Sequence, residues 1–180
     1  MLLDFVNLIV DTAATLMAAV FLLRFWSQVA RVRPPDSLVR FTMKVTNWLV
    51  LPLRRIVPGF GGLDWPCLIG AFLMAILAAI AATWTTPFFQ TKFVLLLSLQ
   101  QLMNWFIYGL MGLMVLEVIY SWINPNSPLM PFVQEMNAPL LNPLRRLIPP
   151  IGGIDLTILV ALILLRVALQ LVGLGISALA

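Results

Sequence analysis

Four stretches of this chain, about Phe5 to Val29, Pro66 to Trp84, Phe93 to Ile123 and Leu156 to Leu179, are apolar runs of membrane-crossing length. About 20 such residues span the hydrocarbon as a helix, where every backbone N–H and C=O has to be satisfied within the protein. Four crossings are the expected frame, and little of the 180 residues is left for anything else. Hydrophobic residues make up 62% of the chain, charged residues only 10%, and the mean hydropathy is +1.02, well outside the range of a soluble domain. The N-terminus lacks a positive region, carries Asp4 and Asp11 and runs straight into a span, so a cleavable signal peptide is not expected.

The inventory removes most enzyme classes. There is no histidine and Cys67 is the only cysteine, which excludes internal disulfides, Cys/His zinc sites, histidine-ligated haem and Cys–His or Ser–His nucleophile pairs. No catalytic residue, metal or cofactor is expected, and Cys67 reads as a small core- or lipid-facing residue. Eleven Lys and Arg against seven Asp and Glu give a net charge of +4. In so apolar a chain this excess points to topology and anionic lipid, with no direct nucleic-acid contact expected.

Between the spans one phrase occurs twice. "NWLVLPLRRIVPGFGGLDW" starts at Asn47 and "NAPLLNPLRRLIPPIGGIDLT" at Asn137; Pro52 matches Pro143, Arg54 Arg145, Gly61 Gly152 and Asp64 Asp155, each pair 91 residues apart. The expected architecture is an all-α membrane protein of two tandem, parallel two-helix repeats, each with an interfacial amphipathic segment and a Pro/Gly elbow. Residues 1–84 form the first repeat, with an amphipathic helix at about 37–51 and an elbow at 52–65; 85–92 form an outer linker; 93–180 form the second repeat, with its elbow at 139–155. Two spans per half bring both phrases to one face. That face collects Arg31, Arg33, Arg40, Lys44, Arg54, Arg55, Arg145 and Arg146 against Lys92 opposite, so it is expected in the cytoplasm and both termini in the periplasm.

Between the first two spans, Leu38, Phe41, Val45, Trp48 and Leu49 fall on one side of a helix and Arg40, Lys44 and Asn47 on the other, the pattern of a helix lying among headgroups. The second copy is crossed by Pro128, Pro131 and Pro139 and carries Glu135, so a shorter helix is expected. The prolines beside each Arg pair (Pro52 and Pro58; Pro143, Pro149 and Pro150) are expected to stop the helix, and Gly61–Gly62 and Gly152–Gly153 to supply positive φ. Asp64 and Asp155 are then placed to cap the next span. The Arg pairs, with Arg40 and Lys44, are the candidate surface for a protein partner or anionic lipid. A phosphate-binding loop is not expected, since "PGFGG" has no following Lys-Ser/Thr and follows no strand.

The twofold PLRR[IL][IV]P…GG[LI]D pattern, with "YSWINPNSPL" ahead of the second copy, resembles the YggT/YlmG family of small bacterial and plastid membrane proteins over essentially the whole chain. The resemblance implies a non-enzymatic membrane protein connected with osmotic-stress tolerance, cell division or nucleoid organisation, or with assembly of haem on a cytochrome in plastids. The first half has "RFWSQVARVRPPDSL" where the second has "IYSWINPNSPL", and so departs from the pattern.

Ionisable residues inside spans cost about 2.5–3.5 kcal/mol on insertion scales and are functional candidates by default. They are Asp11, Arg24, Glu117 and Arg166. A Glu117 pair with Arg24 or Arg166 would fix how the halves dock. The expected function is an inner-membrane scaffold or assembly factor in envelope, division or membrane-complex biogenesis, contacting anionic lipid or an unknown protein partner and able to self-associate. The alternative is a small channel or transport-modulating protein supporting ion or osmolyte balance.

Overall fold

The computed structural model describes residues 2–57, 59, 61–84, 90–148 and 155–179. The described chain is all helical: α1 (Leu2–Val29), α2 (Asp36–Ile56), α3 (Trp65–Thr83), α4 (Thr91–Ile123), α5 (Met130–Leu147) and α6 (Thr157–Leu179). Four of these are long and apolar enough to cross a membrane: Asp4–Val29 within α1, then α3, α4 and α6. Their ends lie within two residues of those read from the apolar runs. The chain is a multi-pass membrane protein. At 33 residues α4 is about 50 Å long, more than the roughly 30 Å hydrocarbon needs, so it tilts or projects.

α1 packs along α3, α3 on α4, and α4 on α6, with α1 also touching α4. Small side chains make the first contact close: Ala18 and Phe21 on α1 share a buried cluster with Ala71 and Ala75 on α3, and Phe21 lies against Gly70. In lipid, where apolar burial no longer drives association, such close packing supplies much of the attraction. Phe21 is fully buried, and a Cβ built on Gly70 would stand 3.0 Å from its ring.

The connecting helices α2 and α5 lie at the same end of the bundle. Both follow a span, and the Trp26 indole near the end of α1 donates to the Met136 carbonyl of α5 at 2.9 Å. α2 buries Thr42, Thr46 and Val50, while α5 buries Val133, Asn137 and Leu141, the positions 91 residues on. The outward side of α2 carries Phe41 and Trp48, 55% and 60% exposed, beside the exposed Arg40 and Lys44. The apolar side of this helix is thus divided between a protein-facing strip and an exposed strip.

Pro52, Pro139 and Pro143 do not stop these helices. Pro52 lies inside α2, Pro139 and Pro143 lie inside α5, and both Arg pairs fall in a last helical turn instead of an elbow. Proline forfeits one backbone bond and crowds the carbonyl four residues earlier, which for Pro52 is that of the exposed Trp48, where water and headgroups can compensate. As expected, α5 is shorter, at 18 residues against 21. Gly61 and Gly62 have φ of 68° and 78°, the left-handed conformation that glycine adopts without strain. Pro58, Pro149, Pro150, Gly152, Gly153 and most of the outer linker lie outside the described residues.

Gly70→Ala is expected to destabilise the protein by about 1–3 kcal/mol through overpacking against Phe21. Gly109→Ala, with nothing within 4 Å of the new Cβ, is expected to be neutral or stabilising. Thermal unfolding of the two variants in one detergent tests this, and equal losses would show that the α1–α3 contact is not tight.

Candidate functional site: two buried carboxylate clasps

Asp64, the residue before α3, is 5% exposed and receives two arginines. Arg54, from the last turn of α2, donates through Nε at 3.3 Å and also through Nη2. Arg24, from α1, has its Nη2 at 3.5 Å from the same carboxylate. Gln28 completes the seat, accepting the Asp64 backbone N–H on Oε1 at 2.7 Å while its amide nitrogen lies at 3.5 Å from the carboxylate. Arg24 in turn donates to Thr46 Oγ1 at 2.7 Å and Asn47 Oδ1 at 3.0 Å. One carboxylate thereby ties α1, α2 and α3 together.

The second half builds a related clasp with the charges rearranged. Arg145 donates through Nη2 to Glu117 at 3.0 Å and through Nε to Asp155 at 2.9 Å. Glu117 lies on α4, 3% exposed, and its other oxygen accepts from Asn137 of α5 at 2.8 Å. Asn137 also donates to the Leu113 carbonyl at 3.0 Å, and its own Oδ1 is buried without a partner among the described residues. Two arginines on one acid give the first clasp a formal charge of +1; two acids on one arginine give the second −1. The pair expected between Glu117 and Arg24 or Arg166 is therefore not formed: each carboxylate has an arginine in its own half, and Arg166 donates to the Tyr108 hydroxyl at 3.2 Å.

The capping role expected of both aspartates holds for one. Asp155 Oδ1 accepts the Thr157 backbone N–H at 3.0 Å, whereas the Asp64 side chain makes no capping bond. Two guanidinium groups compete for the Asp64 oxygens, and charge-assisted bonds are roughly twice as strong as neutral ones. Burial alone would raise the Asp64 carboxyl, but the Arg54 hydrogen bond, helped by Cys67 and the Arg24 charge, outweighs it and holds the group below its ordinary value. Asp155 is also held low: burial opposes the shift, and the Thr157 and Arg145 hydrogen bonds overcome it. Arg54 is raised, first by its bond to Asp64; Arg145 is raised by its two carboxylates against the opposing effect of burial.

Arg55, Arg146, Arg40 and Lys44 point outward and have no acidic partner among the described residues. Asp11 is exposed and borders a small cleft with Gln101, Ala78 and Ala82 away from the clasps. Sequence reasoning missed Gln28, Thr46 and Asn137. The last two could have been found from the offset itself, since they are matched polar residues on the inner face of an amphipathic helix.

The match to family models follows the same division of the chain: the CCB3/YggT model matches residues 3–85 and again 96–176. The chain belongs to the CCB3/YggT family. It is 32% identical over 174 residues to an uncharacterized protein of Pseudomonas aeruginosa, covering 91% of this chain and 86% of that one. The uncharacterized protein YggT of Escherichia coli K12 is 32% identical over 164 residues, 88% of this chain and 84% of YggT. A Vibrio alginolyticus protein from the proC 3′ region is 31% identical over 172 residues, 93% and 92% of the two chains. No solved structure matches the chain significantly.

Removing Asp64 leaves the buried Arg24 without its counter-charge and beside the half-exposed Arg54, so Asp64→Ala is expected to cost about 3 kcal/mol. Asp155→Ala, at a carboxylate 36% exposed, loses mainly a cap and a half-exposed pair, about 1 kcal/mol. Denaturant titration of the reconstituted protein compares them; equal losses would show that the clasps are energetically alike. Both carboxylates have folded values below 3.8, so their contribution is complete above that pH and lost as pH falls through the lowered values. Thermal stability is expected to be flat between about pH 5 and 9, and a transition near neutrality would contradict this assignment.

Proposed function

We propose that this protein is a non-enzymatic scaffold or assembly factor of the bacterial inner membrane. In this reading it is built of two tandem parallel repeats, with α2, α5 and both clasps in the cytoplasmic headgroup layer and both termini in the periplasm. The twofold match of the family model, the shared burial register of α2 and α5, and their common end of the bundle support the repeat. The cations at that end support the orientation through the positive-inside rule.

The observation that carries the scaffold reading is a division of labour within each Arg pair. Arg54 and Arg145, 44% and 36% exposed, are ion-paired and hold a clasp, while their exposed neighbours Arg55 and Arg146, like Arg40 and Lys44, have no acidic partner among the described residues. The inner arginines rigidify the surface and the outer ones present charge to a protein partner or to anionic lipid during envelope, division or membrane-complex biogenesis. Glu117, on which an ion pathway would draw, is closed in by Arg145 and Asn137, which favours a structural role for it. Self-association is part of the proposal, since α6 exposes Arg166 and Gln170 deep within a span.

Partner capture from native membranes in lipid nanodiscs tests the reading, with wild type beside Arg55→Ala/Arg146→Ala. A protein present with wild type and depleted at least tenfold from the variant is expected, with unfolding temperatures unchanged. Identical protein and lipid complements would remove the outer arginines from any docking role.

A further inference from the structure

Beside the first clasp lies a cavity of about 380 Å³, within the range of small-molecule sites, lined by Arg24, Arg31, Arg33 and Arg54. Asp64 engages Arg24 and Arg54, whereas Arg31 and Arg33 have no acidic partner among the described residues. The lining thus carries a surplus of positive charge in a concave place at the end of a span. Its remaining walls include Leu23, Val32, Leu38 and Met43, so it offers cations on one side and hydrocarbon on the other.

A second observation points to the same place. α1 ends in a Schellman turn: the Val32 N–H bonds to the Ser27 carbonyl at 2.9 Å and the Arg31 N–H to that of Gln28 at 3.0 Å. Arg31 occupies the left-handed position of that turn, with φ of 56°, which glycine takes freely and an arginine takes only at a cost. Positive charge for topology is already supplied by Arg40, Lys44, Arg55 and Arg146 and needs no strained residue. Ninety-one residues on, Trp122 and Asn124 stand where Arg31 and Arg33 are, so the turn ahead of α5 carries neither charge.

Leu23 also borders a larger groove of about 620 Å³ between α1 and α4, lined almost wholly by apolar groups including Trp26, Phe106, Gly109 and Gly112. A Cβ at Gly109 or Gly112 would meet nothing within 4 Å. A cationic pocket that adjoins an apolar groove fits an amphiphile with a phosphate head.

We infer that the Arg24–Arg31–Arg33–Arg54 cavity binds the headgroup phosphate of an anionic phospholipid, with an acyl chain running past Leu23 into the α1–α4 groove. Arg31 and Arg33 supply the open charge; Arg24 and Arg54 are set in place by Asp64. This goes beyond the scaffold reading and stands without it, since it needs only that the chain sits in a membrane.

The test is native mass spectrometry of the full chain released from detergent, titrated with dioleoyl phosphatidylglycerol, dioleoyl phosphatidylcholine and inorganic phosphate. Phosphatidylglycerol is expected to bind at least tenfold more tightly than phosphatidylcholine, and millimolar phosphate to leave it in place. In Arg31→Gly/Arg33→Gln that preference is expected to fall about tenfold. Because glycine suits the left-handed position, this variant should unfold no earlier than wild type, which separates lost binding from lost fold. Lys92→Gln, exposed at the far end of α4 and outside the cavity, should keep the preference. An unchanged preference in Arg31→Gly/Arg33→Gln would overturn the site, and displacement by inorganic phosphate would assign the cavity to a soluble phosphate and overturn the lipid.

Discussion

The fold hangs on a carboxylate that has no business in an apolar chain unless it is fully engaged. Asp64 is buried where α1, α2 and α3 converge, and every polar atom of its side chain is taken up by Arg24, Arg54 or Gln28. An uncompensated charge in such a place would be several times more costly than the modest net worth of a paired one, so the three helices are locked by what separation would expose. Arg24 extends the lock to Thr46 and Asn47 and thereby fixes how deep α2 lies and which way it is turned. The outward placement of Phe41, Trp48, Arg40 and Lys44 follows from that rotation.

The second clasp performs the same mechanical task with the opposite charge balance, and the difference arises in the spans. α1 brings a base, Arg24, and α4 brings an acid, Glu117. The connecting helix adapts its inward polar residue accordingly: Thr46 accepts from Arg24, whereas Asn137 can donate to Glu117. Donation leaves the Asn137 carbonyl oxygen buried and unpartnered, an imbalance the threonine position avoids. The two halves are thus alike in path and unlike in chemistry, and the cationic half alone has the charge surplus of the cavity beside α1.

What the sequence disclosed and what it hid divide along the range of the interactions. The spans were legible because a run such as Pro66 to Trp84 leaves the backbone no alternative to helix in lipid, and the ends found there differ by one or two residues. Pro52, Pro139 and Pro143 lie inside helices where breaks are expected, because propensity alone does not register that an exposed helical turn tolerates the lost bond. Partner choice was the least legible. Arg24 and Glu117 sit at related depths and their opposite charges suggested a pair, yet each is satisfied within its own half by an arginine or aspartate more than 25 residues away in sequence. Likewise the amphipathic pattern separates apolar from charged residues but cannot say which apolar strip meets protein and which meets lipid; Thr42, Thr46 and Val50 decide that through tertiary contact.

Depth along the helices gives the remaining charge its meaning. Arg166 lies eleven residues after Asp155, and Tyr108 lies nine before Glu117, so both stand roughly 14–16 Å from the second clasp, about half the hydrocarbon thickness. There a guanidinium meets, among the described residues, a neutral phenol at 3.2 Å, on an exposed face of α6, whereas Arg24, Arg54 and Arg145 at the bundle's end each meet a carboxylate. The same residue type is therefore stabilising near the interface and costly in mid-membrane. A long side chain recovers part of that cost by reaching toward the headgroups, and the phenol holds it at the depth where reaching is least effective. That opposition makes the outer face of α6, rather than the clasps, the part of the bundle whose energy depends most on what lies beside it.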